Sequence, residues 1–128
     1  MLACGIGCRR GTPAEDIEAV IRAARTAFDC TDDITVIATE TSKEDEPGLR
    51  EAATRLGAKL VSFTTDELAS VASAVRTVSS AALRHKNVPS VAEAAALLAS
   101  GANARLLGPR IANATTTCAL AIGDGSRP

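Results

Sequence analysis

Residues 2–28 read LACGIGCRRGTPAEDIEAVIRAARTAF, an apolar run followed by a glycine-rich turn and an amphipathic segment. The turn, residues 5–11, holds three glycines and two adjacent arginines. Thr12, Pro13 and Glu15 then have the pattern of a helix start, with an N-cap, a proline at the first helical position and a capping-box acid. Apolar residues follow at helical spacing, namely Ile17, Val20, Ile21, Ala24 and Phe28. The pattern predicts a strand that passes through a tight turn directly into a helix.

The rest of the chain alternates between strand and helix patterns. Strands are predicted at residues 34–38, Lys59–Phe63, 105–107 and Thr116–Ile122. Helices are predicted at residues 45–57, at 68–86 behind a Thr64–Glu67 capping box, and at 90–101 behind a Ser90–Glu93 box. Only a short connection separates the last two strands, which favours an antiparallel hairpin. We therefore expect a single α/β domain of residues 1–128, a three-layer α/β/α arrangement with a mostly parallel, mixed sheet and an antiparallel C-terminal strand.

Composition argues against several classes of function. The 128 residues carry a formal net charge of −1 and include no Trp, no Tyr and two Phe. Aromatic residues are therefore too few to stack nucleic-acid bases, and the charge does not favour duplex binding. No apolar run approaches the roughly 20 residues of a membrane span, and no signal-peptide pattern is present. The four scattered cysteines lack zinc-site spacing, so we expect a cytoplasmic protein with reduced thiols, no metal and no cofactor.

Basic residues lie close to the ends of the predicted strands. Arg9 and Arg10 follow the first strand, Lys43 follows the second, and Arg110 lies between the last two. Because the carboxyl ends of parallel strands meet at one edge of a sheet, we expect these four side chains along that edge. Guanidinium groups hold carboxylates and phosphates through paired hydrogen bonds. The sequence therefore predicts a binding site for an anion.

The glycines of the turn do not match a nucleotide-binding loop. Gly5 and Gly7 are followed by Gly11, one position too far for G-x-G-x-x-G, and no Walker lysine precedes Thr12. A purely structural interpretation stays open, because a strand-to-helix turn often needs glycine for positive φ. His85 is the single histidine, lies between two basic residues, and is expected in solvent.

Residues 5–11 and the helix start after them resemble the opening motif of a cobalamin-biosynthesis family. This family comprises the stand-alone protein CobE and the C-terminal domain of CbiG. The resemblance continues through Lys43 and through residues 46–49, 88–97 and 109–115, so that it covers nearly the whole chain. At Arg110 the family more usually has lysine, which keeps the charge and changes the donor geometry.

The resemblance implies that the protein binds a polycarboxylated tetrapyrrole intermediate of the aerobic corrin pathway. Such intermediates carry acetate and propionate groups around an apolar macrocycle. The expected ligand-binding residues are Gly5, Gly7, Cys8, Arg9, Arg10, Gly11, Lys43 and Arg110.

Two alternatives to simple binding remain open. The fused relatives open a ring lactone of a tetrapyrrole and release acetaldehyde, so this chain would be a hydrolase acting on a precorrin lactone. Glu46 would then supply the catalytic carboxylate, and backbone amides of residues 7–11 would form an oxyanion hole. Alternatively, the protein would carry intermediates between other enzymes of the pathway.

Overall fold

The computed structural model describes residues 1–75 and 91–125. The predictions for residues 76–90, which include His85 and the Ser90 cap, lie outside these ranges. The strands are β1 (Leu2–Cys8), β2 (Ile34–Glu40), β3 (Lys59–Phe63), β4 (Arg105–Leu106), β5 (Ile111–Ala112) and β6 (Thr116–Ile122). The α-helices are α1 (Ala14–Ala27), α2 (Pro47–Leu56), α3 (Thr65–Val75) and α4 (Val91–Ser100), and a 3-10 turn covers Thr41–Lys43.

The strands form one mixed sheet in the order β3-β2-β1-β6-β4, with β5 also paired to β6. The pairs β1–β2 and β2–β3 are parallel, whereas β6 is antiparallel to β1, β4 and β5. Hence β6 alone among the described strands runs against the others. The predicted α/β fold, its mixed sheet and its antiparallel C-terminal strand are confirmed. The short strand β5 was not predicted.

Helices cover both faces of the sheet. On one face, α1 and α2 pack against β1 through apolar residues such as Ile17, Leu49 and Ile6. On the other face, α3 and α4 cover a core made largely of alanine, including Ala3, Ala95 and Ala119. Successive side chains of a strand point to opposite faces, so even-numbered positions of β1 face α1 and odd-numbered positions face α4. None of the described helices is long and apolar enough to span a membrane.

The abundance of small residues explains how closely α4 approaches the sheet. A Cβ added at Gly5 would lie 1.8 Å from the backbone oxygen of Ala92. The helix backbone therefore passes directly over β1, and no side chain larger than a hydrogen fits at that position. This packing fixes where α4 begins relative to the end of β1.

The helix-start predictions have mixed outcomes. The prediction of a capping box at Thr12 is wrong. Helix α1 begins at Ala14 after an extended Pro13, and no side chain caps it. The Thr12 hydroxyl donates instead to the Arg9 carbonyl at 2.7 Å. The box at Thr64 is confirmed, because the Glu67 amide donates to Thr64 Oγ1 at 3.1 Å and the Thr64 amide donates to Glu67 Oε1 at 2.8 Å. The predicted stop of α2 at a left-handed Gly57 is also confirmed.

Candidate functional site

A cavity of about 380 Å³ lies at the edge of the sheet where β1 and β2 end and β6 begins. The first residue of α4 borders it on one side. Its lining residues are Gly7, Cys8, Arg9, Thr39, Glu40, Lys43, Val91, Asn113, Ala114, Thr115, Thr116 and Thr117. Four of the eight residues predicted to bind a ligand therefore lie around one space, namely Gly7, Cys8, Arg9 and Lys43.

Arg9 and Lys43 supply the positive charge of the cavity. The backbone amide of Arg9 donates to the Thr115 carbonyl at 3.0 Å, which ties the start of the turn to the segment before β6. Within residues 1–75 and 91–125 the Arg9 guanidinium forms no ion pair. The Lys43 ammonium donates to the carbonyl oxygen of Cys8, so the base following β2 is held against the end of β1. Two cations from adjacent strands thus face the same space.

Arg10 lies elsewhere, although it follows Arg9 directly. Its guanidinium is 3.8 Å from the carboxylate of Glu46, and its side chain is 74% exposed. The other Glu46 oxygen accepts a hydrogen bond from the Gly11 amide at 2.7 Å. Gly11 has φ +80°, a left-handed conformation in which a side chain would be strained. Glu46 is therefore a buried link between the turn and α2, and it does not line the cavity.

Arg110 and Gly5 also lie outside the cavity lining. The Arg110 guanidinium is 3.5 Å from the carboxylate of Glu93 in the first turn of α4. Gly5 is covered by the backbone of that same helix. The four bases predicted for this edge therefore do not form one group. Two line the cavity, Arg10 lies beside Glu46 at the start of α2, and Arg110 lies beside Glu93 at the start of α4.

Cys8 is a buried thiol in the cavity wall. Burial raises the pKa of Cys8, the nearby Lys43 ammonium opposes that effect, and Glu46 adds to it. A raised pKa keeps the thiol protonated at neutral pH, which disfavours Cys8 as a nucleophile. No cluster of His, Cys, Asp or Glu in the described parts of the chain has the arrangement of a metal site.

The predicted site residues do not include residues 113–117, which run from the turn before β6 into its first two residues and form one wall of the cavity. The Asn113 side-chain oxygen accepts hydrogen bonds from the amides of Thr115 at 3.0 Å and Thr116 at 2.9 Å. Its amide nitrogen donates to the Asp16 carbonyl at 3.0 Å. One side chain thus shapes the turn and attaches it to α1. The sequence carried one signal for this wall. An antiparallel β6 was predicted, and such a strand brings its amino end to the edge where β1 ends.

Glu40 was also missed, and it is the acidic side chain among the described lining residues. Its carboxylate accepts hydrogen bonds from the Ser42 hydroxyl and, at 3.2 Å, from the Thr65 hydroxyl. The nearby Thr39 is fully buried, and its hydroxyl donates to the Ile6 carbonyl at 2.8 Å. The end of β2 therefore adds one carboxylate to the cavity that the two cations also line. Two of the amides expected to form an oxyanion hole, those of Arg9 and Gly11, already donate within the protein.

A second cavity of about 440 Å³ lies around Ile34, where β2 begins. It is bordered by Arg25, Asp33 and Leu56 among others, and it contains none of the predicted site residues. In an α/β sheet, ligands gather at the carboxyl ends of the parallel strands, which favours the first cavity although it is slightly smaller.

The fold and this cavity define a three-layer α/β domain with a cationic space at the carboxyl ends of its parallel strands. Residues 2–121 match the family described as "Cobalamin synthesis G C-terminus". Because this match covers nearly the whole chain, the protein belongs to that family. The resemblance noted from the residues alone is confirmed.

Three similar proteins illustrate the range of the family. The chain is 33% identical over 122 residues to a cobalt-precorrin-5A hydrolase of Priestia megaterium, covering 94% of this chain and 32% of that protein. It therefore spans about a third of that relative's length. It is 31% identical over 121 residues to Protein CobE of Sinorhizobium sp., covering 94% of this chain and 79% of that protein. The solved structure of the cobalamin biosynthesis protein chiG from Agrobacterium tumefaciens is 42% identical with a TM-score of 0.77, covering 96% of this chain and 98% of that one.

Proposed function

We propose that this protein binds a polycarboxylated tetrapyrrole intermediate of cobalamin biosynthesis in the cavity at the ends of β1 and β2. The observation that carries the proposal is the joint presence of Arg9 and Lys43 in that cavity. The backbone amide of Arg9 donates to the Thr115 carbonyl, and the Lys43 ammonium donates to the Cys8 carbonyl. Within the described residues Arg9 has no acidic partner. A guanidinium without an ion pair among the described residues and an ammonium that line the same cavity are suited to carboxylates.

The remaining lining supports the same class of ligand. Threonine hydroxyls at positions 115–117 add uncharged hydrogen-bonding groups on one side. Val91 and Ala114 add apolar surface for a macrocycle edge. The contributions of Arg10 and Arg110 are revised, because each lies beside a carboxylate of the protein and outside the lining.

Gel filtration with hydrogenobyrinic acid, a coloured polycarboxylated corrinoid, tests the proposal. The pigment should elute with the wild-type protein. We expect Arg9→Ala and Lys43→Ala each to reduce the bound fraction markedly, whereas Arg10→Ala should retain it. Absence of pigment from the wild-type protein peak contradicts the proposal, and equal loss in all three variants would show that the cavity is not the site.

A hydrolase acting on a ring lactone is the second candidate, and Glu40 is the observation that favours it. Its residue lines the cavity, whereas Glu46 lies outside the lining. In this mechanism Glu40 takes a proton from water as the water oxygen attacks the lactone carbonyl, and it returns that proton to the leaving ring oxygen, so that the ring ester opens to a carboxylic acid and an alcohol. A relative one-third identical to this chain carries a hydrolase name, which supports the candidate.

Conversion of a lactone-containing precorrin separates the two candidates. If the protein is a hydrolase, its addition changes the absorption spectrum and the mass of the pigment, and Glu40→Gln abolishes the change while pigment still co-elutes. Binding without any change of mass in the wild-type protein supports the binder and contradicts the hydrolase. Glu46→Gln is the matched control and should retain conversion.

The same proposal includes a location and partners. We place the protein in the cytoplasm because four scattered cysteines are typical of a chain that keeps its thiols reduced. Other enzymes of the pathway are the partners expected to deliver and remove the intermediate. Cell fractionation and pull-down with those enzymes test these two points separately.

A further inference from the structure

The size of the cavity limits how much of a tetrapyrrole it holds. The described residues line an open cleft of about 380 Å³. Pockets for drug-sized molecules span roughly 300–1,000 Å³, so this one lies near the lower end. A macrocycle of linked pyrrole-derived rings with many carboxylate arms is larger than a drug-sized molecule. The space bounded by these residues therefore accommodates a part of such a ligand.

The charges of the cavity indicate which part of the tetrapyrrole it holds. Arg9 and Lys43 are the cations of the described lining, one from the end of β1 and one from the turn after β2. A pyrrole-derived ring of a corrin precursor that carries one acetate and one propionate has two anionic arms on adjacent carbons. The cavity therefore offers two positive charges, and such a ring offers two negative charges. The Glu40 carboxylate disfavours further anions in the same space.

An apolar contact complements these charges. Val91 is the first residue of α4, lines the cavity and is 37% exposed. It is one of three large apolar side chains exposed in the described parts of the chain, and the other two, Met1 and Leu56, lie away from this cavity. A ring seated between Val91 and the strand ends would cover this apolar surface, which favours a carbon ring over a small inorganic anion.

We propose that the cavity holds a single pyrrole-derived ring through its acetate and propionate arms, while the rest of the macrocycle stays outside. This inference rests on the proposed function and specifies its geometry. Arg9 and Lys43 pair with the two arms, and Val91 contacts the ring. The protein therefore recognises one edge of the intermediate, and changes on the opposite edge leave binding intact.

A monopyrrole tests this inference independently of the whole ligand. The probe is opsopyrroledicarboxylic acid, which has one acetate and one propionate and no other charged group, and its dimethyl ester is the control. Titration of isotope-labelled protein should shift the backbone amide signals of Gly7, Cys8 and Thr117, and the probe should displace hydrogenobyrinic acid. Arg9→Met and Lys43→Met should each weaken probe binding about tenfold, as expected for the loss of one charged hydrogen bond.

Matched variants, together with a comparison of the monopyrrole and hydrogenobyrinic acid, separate failure of this inference from failure of the proposed function. Arg10→Met should bind the probe as the wild type does, Lys43→Arg should restore binding lost in Lys43→Met, and thermal unfolding confirms that each variant is folded. If hydrogenobyrinic acid binds and the monopyrrole does not, the inference is overturned while the proposed function stands. If neither binds, both fail. Equal binding of the dimethyl ester overturns the pairing of arms with Arg9 and Lys43.

Discussion

The carboxylate of Glu46 accepts a 2.7 Å hydrogen bond from the backbone amide of Gly11, across 35 positions of sequence. Lys43 makes a second link, in which the donor lies after β2 and the acceptor at the end of β1: its ammonium donates to the Cys8 carbonyl. Together the two side chains tie the turn after β1 to the segment between β2 and α2. The two links lie on either side of Arg9 in the sequence, at Cys8 and at Gly11.

Loss of the Glu46 carboxylate should destabilise the turn. Glu46→Ala removes the acceptor of the Gly11 amide, and because Gly11 itself is exposed the loss is about 1 kcal/mol of the free energy of unfolding, the net value of a typical hydrogen bond. Glu46→Gln retains a side-chain oxygen and should cost less. The Arg10 ion pair contributes little to the difference, because Arg10 is 74% exposed. Urea unfolding of both variants measures the effect, and equal stability of Glu46→Ala and wild type would contradict the assigned link.

The two glycines of β1 should differ sharply in their tolerance of a methyl group. Gly5→Ala places a Cβ 1.8 Å from the Ala92 carbonyl oxygen, so α4 must move away from the sheet. We expect a loss of about 3 kcal/mol or more, the upper range for overpacking. At Gly7 the nearest atom would be Val91 Cβ at 3.9 Å, an ordinary contact. Thermal unfolding compares the two variants, and a well-folded Gly5→Ala would show that α4 is not seated as described.

Asn113 should affect both stability and binding. Asn113→Ala removes the acceptor for the Thr115 and Thr116 amides and the donor to the Asp16 carbonyl. We expect the free energy of unfolding to fall by about 1–2 kcal/mol. The variant should also bind hydrogenobyrinic acid more weakly, because residues 113–117 form a wall of the cavity.

Asn113→Asp is the matched variant for this site. It retains the oxygen acceptors and loses the donor, so the free energy of unfolding should fall less than in Asn113→Ala. Its new negative charge lies in the cavity wall, so binding of hydrogenobyrinic acid should weaken at least as much as in Asn113→Ala. Unchanged binding in Asn113→Asp would contradict the placement of the carboxylates in this cavity.

Stability should fall at alkaline pH because of the buried Cys4 thiol. The hydrogen bond with the Cys118 thiol, and then burial, raise the pKa of Cys4 well above its ordinary value. In the unfolded chain a cysteine releases its proton near about pH 8.5, so the folded state binds more protons above that pH and its stability declines as pH rises. Below about pH 8 the thiol is protonated in both states and its contribution is constant.

Urea unfolding between about pH 8 and pH 10 measures this decline. Cys4→Ala should reduce the slope, whereas Cys30→Ala, which removes a partly exposed cysteine, should leave it nearly unchanged. Identical slopes in wild type and Cys4→Ala would show that this thiol is not protected in the folded state.

Periodicity and turn chemistry predicted most of the fold. The strand β3 has the predicted bounds, and α2 ends at the predicted Gly57, because both signals depend on residues that are adjacent in sequence. The cap of α1 was mispredicted, because the Thr12 hydroxyl has a competing acceptor in the Arg9 carbonyl that no local pattern reveals. The strand β5 has only two residues and is too short to produce a period.

The site was predicted in outline and not in detail. The topology rule placed Arg9 and Lys43 at the same edge, and the structure puts both in one cavity. The partners of Arg10 and Arg110 were not predictable, because Glu46 and Glu93 reach them through the packing of α2 and α4. Glu40 was missed since a single acid at a strand end has no distinguishing pattern in sequence.

The reversed direction of β6 has a consequence for how the protein is made. This strand completes the hydrogen bonding of β1 and brings residues 113–117 to the amide of Arg9, more than a hundred positions from the start of the chain. During synthesis, β1, β2 and α1 leave the ribosome long before β6 exists. Until then β1 has one unpaired edge, and the cavity lacks a wall. A chain that stops before β6 would therefore lack both one neighbour of β1 and one wall of the cavity.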